Sequence, residues 1–318
     1  MNKVLHFKGI NGLRAIAALA VVISHITLDL DKYGLKSGIF GSDLNGKPKG
    51  LLLASYGVSI FFALSGFLIT YLLLREKELF QKVKISHFYI RRALRIWPLY
   101  YFYIFLCFVT YYFYNISYNH SVVPFYLFMM ANIPMIMGKL LPFLGHFWSL
   151  GVEEQFYLFW PWFAKLENKK LLKLSITLVI ILFGLKIVFW KFGFSIPELI
   201  ISVTRFHTMI IGCIGAIIYF SDLKNNFSNK YLQFISWLVL ILIALNKFPV
   251  PSLIANEIVS VITVFIIFAQ IERKNYIVDL DNKLIIPISF SIKRVRIRYT
   301  PTTIKSATKK VFAFNLID

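Results

Sequence analysis

Of the 318 residues, 58% are hydrophobic and only 16% are charged, and the mean hydropathy is +0.68. That leaves too little polar surface for a soluble globular domain and describes a polytopic membrane protein. The formal net charge of +20 does not argue for nucleic-acid binding, because basic residues gathered between apolar runs are a topology signal.

Apolar runs of about 20 residues, long enough to cross a hydrocarbon core as helices, recur from Ile10 to Ile271. The first predicted helix, 10–29, holds two ionisable residues, Arg14 and His25. Their spacing is three helical turns to within about 20°, so they share a face about 16 Å apart. Polar groups at that depth cost roughly 2.5–3.5 kcal/mol each on insertion scales, which points to function. A snorkelling arginine and a helix-packing histidine are the structural alternative. The basic start and apolar run resemble a signal peptide, but these two residues and the spans that follow mark a retained helix. An imidazole exchanges protons near neutral pH, and a guanidinium suits phosphate.

The second predicted helix, 51–74, carries Gly57, Ser59, Ser65 and Gly66, small residues that permit close helix approach. Between it and the next, 97–114, stand Arg75, Lys77, Lys82, Lys84, Arg91, Arg92 and Arg95. That excess marks the segment as cytoplasmic and places the N-terminus on the same side. Arg91 and Arg95, at i and i+4 beside Arg92, would also hold an anionic cytosolic donor.

The stretch 122–164 is ambiguous by hydropathy. A single net crossing keeps Lys165, Lys169, Lys170 and Lys173 on the basic side, so part of the stretch, around Pro142 to Gly151, is expected to be re-entrant and to wall a site. Glu153 and Glu154 then lie among aromatics, costly unless paired. Arg205, in the predicted helix 196–220, is a buried cation for which one of these carboxylates is the expected partner.

Predicted helices 172–190, 196–220, 231–247 and 251–271 bring the count to about eight, an all-α integral membrane bundle. From Asp281 onward Lys283, Lys293, Arg294, Arg296, Arg298, Lys305, Lys309 and Lys310 appear. The expected division is a membrane domain over 1–280 and a poorly ordered, basic cytoplasmic tail over 281–318. Cys107 and Cys213 stand apart, so neither a disulfide nor a metal site is indicated.

The order of Gly12-Leu13-Arg14 with His25, Phe61-Phe62-Ala63-Leu64-Ser65-Gly66-Phe67, Arg91-Arg92-Ala93-Leu94-Arg95 and Trp148-Ser149-Leu150-Gly151-Val152-Glu153-Glu154-Gln155-Phe156-Tyr157 closely resembles the acyltransferase 3 family of bacterial membrane O-acyltransferases. The resemblance covers roughly residues 8–220. It implies transfer of an acyl group, most often acetyl, from cytosolic acyl-coenzyme A to a hydroxyl of an extracytoplasmic glycan such as lipopolysaccharide O-antigen, capsule or exopolysaccharide, or peptidoglycan.

By position, His25 matches the family's essential histidine and Arg14 the arginine of the same motif. Arg91, Arg92 and Arg95 match its basic motif, and Ser149 and Glu153 its serine-to-glutamate motif, with Ser65, Gly66 and Glu154 in support. The implied location is the bacterial inner membrane, both termini cytoplasmic, with no metal and no resident cofactor. Family bundles have about ten spans, so the change near Asp281 looks like a truncation or a frame shift. The rival reading is a proton-coupled or small-solute transporter using His25, Glu153 and Arg205 as a polar pathway. Against it stands the lack of paired, broken helices in inverted repeats.

Overall fold

The computed structural model describes residues 7, 9–32, 50, 52–227, 229–247, 251–272 and 276–281. All regular structure among them is helical. The longer helices are α1 (Ile10–Lys32), α2 (Leu52–Phe80) and α3 (Ile85–Phe113), followed by two single-turn helices, α4 (Val123–Leu127) and α5 (Asn132–Ile136). Then come α6 (Phe147–Phe163), α7 (Asn168–Lys191), α8 (Ser195–Thr204), α9 (Phe206–Tyr219), α10 (Lys230–Ala244) and α11 (Ser252–Glu272). Six stretches are long and apolar enough to span a membrane, with α8 and α9 counted as one. The chain is a multi-pass membrane protein of the all-helical class. The basic tail expected beyond Asp281 lies outside the described residues.

Contacts fix the helix directions. Gly57 of α2 abuts Ala17 and Val21 of α1, while Phe7, just ahead of α1, packs on Tyr71 near the far end of α2 with ring centroids 4.9 Å apart, so α1 and α2 are antiparallel. Down α2, Ser65, Phe62 and Thr70 meet Glu153, Trp148 and Trp160 of α6 in matching order, so α2 and α6 run the same way. Arg205 and Tyr219, at the two ends of α9, meet Ser55 and Tyr71, and Asn256 and Phe268 of α11 meet Ser55 and Phe67, which gives the same sense to α9 and α11. Two cores result, one on each side of α2: one with α1, α10 and α11, the other with α6, α7 and α9. A third packs α3 against the segment 122–147. The basic residues at 75–95 and 165–173 thereby gather at one end of the bundle.

The tightest crossing is α2 on α9. A Cβ on Gly66 would sit 2.0 Å from the Met209 carbonyl oxygen, and one on Gly212 would sit 2.0 Å from that of Ala63. Small residues let these backbones touch, which in a bilayer replaces the missing hydrophobic drive with dispersion contact. Gly12 answers a different need: the carbonyl of Leu280 lies 2.3 Å from where its Cβ would be. Segment 276–281 folds back there, held by Gln270, whose Nε2 donates to the Val278 carbonyl at 2.7 Å.

Three expectations are corrected. The third helix starts at Ile85, not 97, because main-chain bonding runs on through the polar turns that hydropathy discards, and through Pro98. Arg91, Arg92 and Arg95 are therefore helical. The predicted helix 196–220 is two helices: Arg205, at φ 46°, breaks it. Its Nε donates to the Ser202 carbonyl at 2.8 Å and its Nη1 to the Ser55 carbonyl at 3.0 Å, and these bonds offset the roughly 1–3 kcal/mol cost of a left-handed non-glycine residue. Finally, the irregular backbone begins well ahead of the expected Pro142–Gly151 window and shares only the first half of it. It runs through Met129, Gly138 and Phe143, all at positive φ, and ends at His146, after which α6 is regular.

Candidate active site

The site is a polar seam among α1, α2, α3 and α6. On α6, His146, Ser149, Glu153 and Tyr157 stand at i, i+3, i+7 and i+11, which puts all four within about 80° of arc on one face. Glu153 is at the centre. Its Oε1 accepts from Ser65 Oγ of α2 at 2.7 Å and its Oε2 from Tyr157 Oη at 3.2 Å. Arg92 of α3 lies over the Tyr157 ring, with Cζ 4.1 Å from the centroid, a cation–π contact. Arg14 is within electrostatic reach of Glu153, Tyr157, Arg92 and Arg95, and Arg95 of Arg92, Tyr157 and Glu153. Glu154 is approached by Trp97 and Arg92, and its buried Oε1 has no hydrogen-bond partner among the described residues. Three guanidinium groups against two carboxylates leave an excess of positive charge.

The basic motif divides. Arg92 and Arg95 turn to Glu153, whereas Arg91 bonds through Nη2 to Glu76 Oε2 at 3.0 Å. Glu76 is 5% exposed and also accepts from the Lys84 amide at 3.0 Å. Arg91 thus fastens the α2–α3 corner. Gly66 serves the helix crossing already described. Ser149 donates to the His146 carbonyl at 3.1 Å in the first turn of α6.

The two histidines stand above this centre. His25 is exposed on α1, three turns from Arg14. His146, also exposed, precedes the first residue of α6, its ring edge-on to that of Tyr103 at 5.7 Å. His25 lies within electrostatic reach of His146.

Arg205 does not join Glu153 or Glu154, the partners expected from the sequence. Beyond its bonds to Ser55 and Ser202, it reaches Ser59 Oγ at 3.3 Å and faces the Trp148 ring at 5.8 Å. The carboxylate nearest in effect is Glu257 of α11, an acid that sequence inspection passed over. Glu257 Oε1 accepts from Lys186 Nζ at 2.8 Å and meets His207 Nε2 at 2.7 Å. The sequence signal was a lysine near the end of an apolar helix, Lys186, and an acid near the start of another. Tyr157 and His146 were equally findable, by their spacing from Glu153 on one helix face. No group of three or more potential metal-ligating side chains occurs among the described residues.

The chain was compared with known proteins. Residues 7–271 match the family described as an acyltransferase domain. A peptidoglycan O-acetyltransferase, OatA, of Listeria monocytogenes is 31% identical over 183 residues, 51% of this chain and 26% of that protein. A Staphylococcus aureus protein provisionally named an O-acetyltransferase is 27% identical over 88% of this chain and 47% of its own length. A Bacillus subtilis protein, YrhL, provisionally named a peptidoglycan O-acetyltransferase, is 28% identical over 71% of this chain and 35% of its own. The chain thus spans between a quarter and a half of these relatives. No solved structure matches.

Proposed function

This chain belongs to the acyltransferase family, matched over residues 7–271, and we propose that it is a membrane O-acetyltransferase. The donor is acetyl-coenzyme A at the basic end, which is cytoplasmic under the positive-inside rule. The acceptor is a hydroxyl of a peptidoglycan-type glycan at the opposite end, in keeping with the names of two relatives. The membrane is the inner membrane of a bacterium. The observation that carries the reading is the seam itself: a carboxylate held by Ser65 and Tyr157 among Arg14, Arg92 and Arg95, below a histidine on the same face of α1.

In this mechanism the excess guanidinium charge draws the coenzyme A phosphates to the basic end. Glu153 keeps Arg14, Arg92 and Arg95 from repelling one another while no donor is bound. The pantetheine arm runs up the seam toward His25. His25 takes the acceptor's proton as general base, or takes the acetyl group itself.

The test is acetyl transfer by the purified chain in liposomes, with labelled acetyl-coenzyme A and a soluble muropeptide. Labelled muropeptide is expected from the wild type and none from His25→Ala. Full activity in folded His25→Ala would sink the role of His25. Wild-type protein that moves no acetyl group from coenzyme A would sink the transferase reading.

A further inference from the structure

From the facing polar stripes of α1 and α6 we infer that His25 and His146 form a two-histidine transfer pair, with His25 carrying the acetyl group and His146 acting as the base that activates the acceptor hydroxyl. This rests on the acetyltransferase reading above.

The geometry is a matter of register. On α1, Arg14 and His25 share one face; on α6, His146 and Glu153 at i and i+7 share one face to within about 20°. Arg14 and Glu153 act on one another across the seam, which aligns the two faces at that level. Moving away from the basic end, His25 stands about 16 Å above Arg14 and His146 about 10 Å above Glu153 by helical rise, so the stripes end in two imidazoles at the acceptor end. The electrostatic proximity of His25 to His146 agrees with that register.

Each histidine is exposed, and neither ring has a hydrogen-bond partner among the described residues. His146 is placed by the start of α6 and by its T-shaped contact with Tyr103, which orients the ring and leaves its nitrogens unbonded among the described residues. Beside the pair, Tyr103 of α3 meets the His146 ring, and Asp29 stands one helical turn beyond His25 on α1.

The chemistry balances without another reactant. A neutral His25 nitrogen attacks the thioester carbonyl; the new N–C bond replaces the C–S bond, and coenzyme A leaves as thiolate. The product is an acetyl-imidazolium on His25. The acceptor oxygen then attacks that carbonyl while His146 takes its proton; the O–C bond forms, the N–C bond breaks, and His25 is again neutral. The proton on His146 passes to the thiolate or to bulk water. A single imidazole that is acetylated cannot at that moment serve as base, which gives the second one its task.

The experiment is rapid-quench kinetics on the full chain in detergent. With acetyl-coenzyme A alone, wild type and His146→Ala should each release about one coenzyme A per enzyme and hold the acetyl group, whereas His25→Ala should release none. On addition of a soluble muropeptide, His146→Ala should discharge it about 100-fold more slowly than wild type, and added imidazole should restore at least tenfold. His146→Gln, which keeps the polar volume, should behave like the alanine variant without rescue, and both are checked for monodispersity. Discharge by His146→Ala within threefold of wild type overturns the inference. So does slow discharge that imidazole fails to rescue in monodisperse protein, and so does wild-type turnover with no acetyl-enzyme. That last result leaves the transferase reading standing, whereas absence of any coenzyme A release by wild type removes the reading itself.

Discussion

Glu153 is the residue on which the seam turns, and its surroundings make separable predictions. Glu153→Gln keeps the size and the Ser65 contact but removes the charge that offsets Arg14, Arg92 and Arg95. Charge-assisted bonds contribute about 1.5–3 kcal/mol, so acetyl transfer should fall by roughly 10- to 150-fold at constant protein level. Ser65→Ala removes one of two bonds to Glu153 and should cost less, about tenfold. Equal and full activity in both variants, measured by label incorporation, would remove Glu153 from the mechanism. The basic motif gives a sharper contrast. Arg91→Ala strips the partner from buried Glu76, so it should lower thermal stability. Arg92→Ala breaks the stack on Tyr157 and should lower activity with little change in melting temperature. A reversed pattern in the melting and transfer assays would undo this division of labour.

At the level of helices, packing decides which substitutions the bundle tolerates. Gly66→Ala would drive a methyl group into the Met209 carbonyl, and Gly212→Ala one into the Ala63 carbonyl. Overpacking of this kind costs about 1–3 kcal/mol or more, and here it separates the helix that carries Ser65 from its neighbour. Gly184→Ala on α7 is the control, because nothing lies within 4 Å of its added Cβ. It should be neutral or stabilise by up to about 1 kcal/mol through helix propensity. Melting temperatures of the three variants in one detergent decide the matter, and a destabilised Gly184→Ala would contradict it. These same helices show what the sequence carries. Hydropathy and lysine placement located most spans, and the small residues of α2 announced a close crossing. They could not say that the partner would be α9, far along the chain, because dispersion contact between apolar helices leaves no charge or pattern to match. Arg205 breaks a helix for the same kind of reason: its acceptors, Ser55 and Ser202 carbonyls, are main-chain atoms that any residue supplies.

Among the described residues, the buried groups that a polar path would use fall into two separate assemblies rather than one. The seam joins α1, α2, α3 and α6, while Lys186, His207 and Glu257 join α7, α9 and α11, with Arg205 alongside. A transporter pathway through His25, Glu153 and Arg205 would need these to be continuous, yet the guanidinium of Arg205 is spent on Ser55, Ser59 and Ser202. The second assembly is better explained as a clasp. Lys186 and His207 are 5% and 1% exposed, so deleting Glu257 strands a buried ammonium. Breaking one partner of such a pair costs about 3–5 kcal/mol, whereas replacing both by apolar groups is often neutral or better. Glu257→Leu alone should therefore lower the melting temperature by on the order of 10 °C. Glu257→Leu with Lys186→Met should recover most of that loss and retain acetyl transfer. Recovered stability without transfer would instead draw the clasp into the reaction and join the two assemblies into one site.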